Sequence, residues 1–165
     1  MTHSDMVNTR TITTDSPAGT LELGSRLARE LAPGDLVALI GELGAGKTMF
    51  TKGIAKGLGV GEYDYVNSPS FVVIKEYPGE KPLYHFDIYR LEEKSFCETL
   101  DYEEYFYGEG VSVIEWADRL GKLMPSDYVK VHIAIQSENT RSIIISASGK
   151  RSRAVVEHIH ENYCH

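Results

Sequence analysis

The run Gly41-Glu42-Leu43-Gly44-Ala45-Gly46-Lys47-Thr48 constrains this chain more than any other stretch. Before it stand five consecutive apolar residues, Leu36 to Ile40, short enough for a strand buried on both faces. After it, Phe50, Ile54 and Leu58 recur four apart, as along a helix, with Gly57 and Gly59 as stops. Glycines at 41, 44 and 46 let successive backbone N–H groups turn inward around an anion. A helix N-terminus at the same point adds the positive end of its dipole. The spacing is the Walker A pattern, in which Lys47 reaches the β- and γ-phosphates of a nucleotide and the Thr48 hydroxyl ligates Mg²⁺. An ordinary glycine-rich turn is the alternative, and the flanking strand and helix argue against it.

The other segments bound the fold. Arg10 to Thr14 reads as a short first strand, and Ser16-Pro17 as a helix start, with Ser16 at the N-cap. Leu21, Gly24, Leu27, Ala28 and Leu31 form that helix's apolar stripe, with Glu22, Ser25, Arg26 and Arg29 outside it. Phe71 to Tyr77 and Leu83 to Tyr89 read as a hairpin around Pro78-Gly79-Glu80-Lys81-Pro82. A helical region runs from about Glu92 to Phe106, and Val111 to Trp116 is a strand. Val129, Val131, Ile133 and Ile135 alternate strictly, as do Ile143 and Ile145, predicting a second hairpin with one wet face. A helix from about Arg153 to His160 closes the chain. A strand–loop–helix unit implies parallel pairing and the hairpins demand antiparallel pairing. The expectation is therefore one α/β domain over residues 1–165, a mixed sheet flanked by helices.

A nucleotide-bound Mg²⁺ needs only one or two protein oxygens. Glu115, closing the apolar run Val111-Ser112-Val113-Ile114, can supply one, though it also reads as a solvated strand-end glutamate. Asp87 closes the other candidate strand, in His85-Phe86-Asp87-Ile88-Tyr89-Arg90. It suits orientation of an attacking water, or else pairing with Arg90. His85 shares the face of Asp87 by alternation and reads as structural. Asn67-Ser68-Pro69-Ser70-Phe71 is a γ-phosphate-sensing loop or a plain Ser-Pro turn. His158, His160, Cys164 and His165 read as a solvated tail, and Lys150-Arg151-Ser152-Arg153 as a solvated basic cluster. Tyr102, Tyr105, Phe106 and Tyr107 are either core or a partner-facing patch.

Charge and cysteine usage exclude several classes. The formal net charge of −7 disfavours a protein that grips nucleic acid or anionic membrane by bulk electrostatics. Two distant cysteines, Cys97 and Cys164, make no disulfide framework and no zinc spacing. The first residues lack the basic and apolar regions of a signal peptide, and no apolar run approaches the roughly 20 residues that span a bilayer. A cytoplasmic protein with no membrane partner is expected.

Taken together, the motifs at 41–48, 67–71, 85–90 and Val113-Ile114-Glu115-Trp116 resemble, in order and spacing, the TsaE (YjeE) family of bacterial ATPases. The resemblance runs from about Asp15 to Trp116. It implies a small P-loop fold that binds and hydrolyses ATP to ADP with Mg²⁺. It also implies action with TsaD and TsaB, the pair that transfers a threonylcarbamoyl group to adenosine 37 of ANN-decoding tRNAs, with tRNA contacted mainly through that complex. By position, Lys47 is the phosphate lysine, Thr48 and Glu115 are metal ligands, and Asp87 is the polar catalytic residue. The nucleotide set comprises Gly41, Glu42, Leu43, Gly44, Ala45, Gly46, Lys47, Thr48, Met49, Ser70 and Trp116. Ser70 replaces the family's usual Thr, Ile88 a usual Leu, and Asp101 a common Gly; none touches the phosphate chemistry. A small-molecule P-loop kinase and a non-hydrolysing nucleotide-gated adaptor are the competing readings. The first is weakened because no arginines cluster between Lys47 and Arg90 to form a lid.

Overall fold

The computed structural model describes residues 9–66, 74–88 and 102–163. The strands are β1 (Thr9–Thr14), β2 (Leu36–Ile40), β3 (Ile74–Tyr77), β4 (Leu83–Asp87), β5 (Val111–Glu115), β6 (Val129–Ile135) and β7 (Arg141–Ala147). The helices are α1 (Pro17–Arg29), α2 (Lys47–Gly57), α3 (Tyr102–Phe106) and α4 (Lys150–Tyr163). All seven strands join one mixed sheet in the order β1-β7-β6-β2-β5-β4-β3. The centre, β6-β2-β5-β4, is parallel. The outer pairs β1-β7, β7-β6 and β4-β3 are antiparallel. The expected fold class is the one observed.

Strand alternation divides the core in two. Val37, Leu39, Leu83, Val111, Val113, Val131, Ile133, Ile143 and Ile145 face α1, α2 and α4 in the larger aliphatic core. Leu36, Ala38, Phe86 and Ile114 face the other way, onto Phe106 of α3 and the turn residues Ala117 and Leu120. This second core is aromatic: Tyr105 meets Tyr84 and Phe86 edge-on, at centroid distances of 5.2 and 5.8 Å. It covers only the β2-β5-β4 half, so Lys130 and His132 of β6 and Thr11 and Thr13 of β1 are exposed, the wet face the alternation predicts.

Helix α1 starts as its cap predicts, the Ser16 hydroxyl accepting a hydrogen bond from the Gly19 N–H at 3.0 Å. Gly24, Leu27, Ala28 and Leu31 of the expected stripe are buried, but the buried face is wider: Leu23 and Ser25 are fully buried as well, whereas Leu21 is half-buried. The cause is the closeness of α2. A Cβ on Gly53 would lie 2.0 Å from the Leu21 carbonyl oxygen, and one on Gly57 2.5 Å from that of Ser25. Gly57 is therefore a packing residue as well as the end of α2, and Gly59, at φ +82°, makes the left-handed turn beyond it.

Other boundaries moved. Residues 71–73 and 89–101 of the expected hairpin and helical region lie outside the described residues, as do Ser70, Cys97 and Cys164. Strand β5 ends at Glu115, since Trp116 takes a left-handed conformation with φ 62°. Helix α4 begins at Lys150 and extends to Tyr163. The basic cluster and the His158–His160 segment thus lie on one helix, on which Lys150, Arg151 and His158 are exposed as the solvated reading expects. The Arg151 guanidinium pairs with Asp35 at 3.1 Å, Ser152 is buried, and His158 bonds Glu30 at 2.9 Å. The Tyr-rich stretch divides: Phe106 is core, Tyr105 packs on it and Tyr107 is exposed.

Candidate functional site

Three neighbouring parallel strands end at one edge. Register sets Leu39 beside Glu115 and Glu115 beside Asp87. The segment that continues β2 therefore emerges next to the carboxylates closing β5 and β4. The carboxyl ends of parallel strands are where open α/β sheets bind ligands. Here they border a cleft of about 700 Å³ lined by residues 43–49, Lys52, Asp87, Glu115 and Trp116. Residues of α1's start, Ser16, Pro17 and Thr20, and of the β6–β7 hairpin, Glu138, Asn139 and Arg141, complete its wall.

The loop from Gly41 to Gly46 turns through two left-handed glycines, Gly44 at φ 84° and Gly46 at φ 108°. Any other residue would be strained at both positions. Gly41 is needed for space, since a Cβ there would sit 2.7 Å from the Ile133 carbonyl oxygen of β6. Gly46 is the N-cap of α2 and carries no side chain to stopper the helix amides. Leu43 at the loop tip is 88% exposed, whereas Ala45 is buried beneath it.

Lys47 begins α2 and its side chain is buried. Its ammonium donates to the Gly41 carbonyl and, at 3.3 Å, to that of Glu42. It also lies 4.1 Å from the centroid of the Trp116 ring, a cation–π contact. Burial pushes its pKa below the usual lysine value, against the opposing pull of Glu115, Asp87, Asp118 and Glu42. All four carboxylates thus favour the charged form of this lysine, and two of them, Asp87 and Glu115, line the cleft with it. Trp116 is the one non-glycine residue with positive φ among the described residues. Its N–H bonds the Leu39 carbonyl at 3.2 Å, and its ring packs on the aromatic core.

Glu115 is buried at the cleft and one of its carboxylate oxygens lies 2.5 Å from Nε2 of the fully buried His85. Asp87 is half-buried and also lines the cleft. Thr48 reaches the same space from the first turn of α2, as does Met49. Among the described residues no group of three or more His, Cys, Asp or Glu could hold a metal by itself. The two hard oxygen donors Thr48 and Glu115 fit a cation whose remaining ligands are phosphate oxygens and water.

Three participants were not legible as such. Arg141 at the start of β7 donates from Nε to the Ala45 carbonyl at 2.9 Å and from a terminal nitrogen to that of Gly44 at 3.4 Å. The same guanidinium holds the Ser137 carbonyl at 2.8 Å, so it ties the hairpin to the loop. Asp118 does not line the cleft but helps to hold the Lys47 pKa up, and His85 enters through Glu115. Their only sequence signals were a charged residue after a turn and alternation with Asp87.

This arrangement can bind a polyanion: the glycine loop, the start of α2, Lys47 and Lys52 line a cleft that the Glu115 carboxylate also borders. Fold and site together define a P-loop nucleotide-binding protein. A family model for "Threonylcarbamoyl adenosine biosynthesis protein TsaE" matches residues 14–143. The "tRNA threonylcarbamoyladenosine biosynthesis protein TsaE" of Bacillus subtilis is 41% identical over 152 residues, 90% of this chain and 94% of the relative. That of Treponema pallidum is 37% identical over 131 residues, 79% of this chain and 96% of the relative. The crystal structure of Bacillus subtilis YdiB superposes with a TM-score of 0.78 at 34% identity, covering 93% of this chain and 95% of that one. The chain belongs to the TsaE family, as the motif resemblance implied.

Proposed function

We propose that this chain binds and hydrolyses ATP with Mg²⁺ in the cleft, as the nucleotide-driven component of the machinery that forms threonylcarbamoyladenosine in tRNA. The observation that carries the reading is the convergence, in a member of this family, of loop residues 43–48, Lys47 among them, with Asp87 and Glu115 on one cleft; Gly41 and Glu42 of the expected nucleotide set do not line it. The relatives' names supply the tRNA modification. The TsaD–TsaB pair, implied by the family resemblance, is the proposed partner.

In this reading the amides of Gly44 and of residues 46–48, with the Lys47 ammonium, bind the β- and γ-phosphates and stabilise the charge that develops as the γ-phosphoryl group is transferred. Lys47 then exchanges its bonds to the loop carbonyls for bonds to phosphate oxygens. Thr48 and Glu115 would hold Mg²⁺, which supplies charge neutralisation on the phosphate oxygens. Asp87, beside Glu115 in register, orients the attacking water. Met49 and Trp116 also line the cleft, and Ser70 belongs by sequence to the proposed nucleotide-sensing loop.

With a net charge of −7, the chain is expected to leave most tRNA contact to its partners. The test is ATP hydrolysis by the purified protein with and without TsaD–TsaB and tRNA. Phosphate release that rises with the partners is expected. Phosphate transfer to a metabolite instead of water, or unchanged hydrolysis after Lys47→Ala, would overturn the reading.

A further inference from the structure

We infer that His85 is a positioning residue, fixing through its Nε2–H the orientation of the Glu115 carboxylate that meets Mg²⁺. The inference rests on the nucleotide reading above and concerns a residue whose sequence signal was only structural. His85 sits on β4 two residues before its end, in register with Val113 of β5. Alternation puts Leu83, His85 and Asp87 of β4 on the face of Val111, Val113 and Glu115 of β5. The imidazole thus stands within an aliphatic layer and reaches along the strand direction to Glu115.

Its hydrogen bonding is one-sided. Nε2 lies 2.5 Å from the Glu115 carboxylate, whereas Nδ1 is buried without a hydrogen-bond partner among the described residues. A carboxylate oxygen accepts, so the hydrogen of this bond is on Nε2. For packing alone, an aliphatic side chain would serve this layer better than a half-satisfied imidazole. What the imidazole adds is one N–H aimed at one carboxylate. His85 does not line the cleft, so it acts through Glu115 and not on the ligand. A carboxylate has about four lone-pair sites, so this bond orients Glu115 without exhausting its capacity as a ligand. Hydrogen bonds to ligating carboxylates are the usual means of orienting them toward a metal.

The test measures affinity for a non-hydrolysable ATP analogue in EDTA and across a Mg²⁺ titration. It compares wild type, His85→Leu and His85→Gln, the last keeping an amide N–H near the Nε2 position. His85→Leu is expected to raise the Mg²⁺ needed for half of the metal-dependent gain by about 10–100-fold while changing metal-free affinity by less than about threefold. His85→Gln should recover most of the loss, and His85→Leu should have no further effect in a Glu115→Gln background. If the Leu variant does not fold, Gln against Asn, which sets its N–H one bond short, reads the same contrast. Equal losses with and without Mg²⁺, an unchanged Mg²⁺ requirement, or an effect that persists beside Glu115→Gln would overturn the inference alone. Wild-type binding that ignores Mg²⁺ would overturn the metal reading and the inference with it.

Discussion

Helices α2 and α4 begin in opposite ways. At the start of α4, Asp127 accepts the N–H groups of Arg151 and Ser152 at 2.8 and 3.0 Å. The Ser152 hydroxyl takes the Gly149 N–H at 3.0 Å. Gly149 is glycine for this reason, since a Cβ there would lie 2.4 Å from the Asp127 carboxyl carbon. At the start of α2, Gly46 carries no side chain, the first turn has no acidic residue, and the amides face the cleft. A helix end leaves several N–H groups to be satisfied. In α4 the protein supplies the oxygens itself; in α2 it withholds them, keeping the anion-binding end for a ligand. In the proposed function the same electrostatics serves stability at the start of α4 and recognition at the start of α2.

Variants can break this contrast. Lys47→Ala should weaken ATP binding about 10–100-fold, the value of a charge-assisted hydrogen bond, while leaving the thermal midpoint nearly unchanged; calorimetry and a melting curve separate the two. Asp127→Ala should do the reverse, costing about 1–2 kcal/mol of stability in urea unfolding with ATP affinity intact. Equal effects of both variants on ATP binding would show that the two helix ends are not specialised.

The carboxyl at α4 also predicts a pH dependence. Burial tends to raise the Asp127 pKa, but the Ser152 and Arg151 hydrogen bonds and the Arg151 charge outweigh it, so the net shift is downward. A group depressed on folding stabilises fully above its unfolded value, about 3.9, and loses that contribution as pH falls through the folded value. The stability gap between wild type and Asp127→Asn should be widest near neutrality and close below about pH 4. The smallest effect belongs to α1, where Ser16→Ala should cost about 1 kcal/mol, read by urea unfolding.

The contrast also explains what was legible. The α2 end is encoded contiguously, so glycine spacing, Lys47 and Thr48 announced it. Glu115 was visible because it closes an apolar strand. The start of α4 was expected three residues too late because its cap, Asp127, arrives from the loop before β6, and the pairing of the exposed Arg151 with Asp35 has no local signal. Arg141 and His85 escaped for the same reason: their partners, Ala45 and Glu115, are 96 and 30 residues away. The extra width of α1's buried face was set by the backbone of α2, which side-chain periodicity does not record. Local chemistry can be read from a string of residues, whereas pairings across the sheet wait for the fold.

The central claim is that nucleotide phosphates sit on the α2 end of this molecule. Backbone amide chemical shifts, followed while MgADP is added, test it most directly. The account predicts the largest changes at Gly44, Gly46, Lys47 and Thr48, with Arg151 and Ser152 at the capped α4 end unmoved. Changes centred elsewhere, or none at the 41–48 loop under saturating nucleotide, would contradict it.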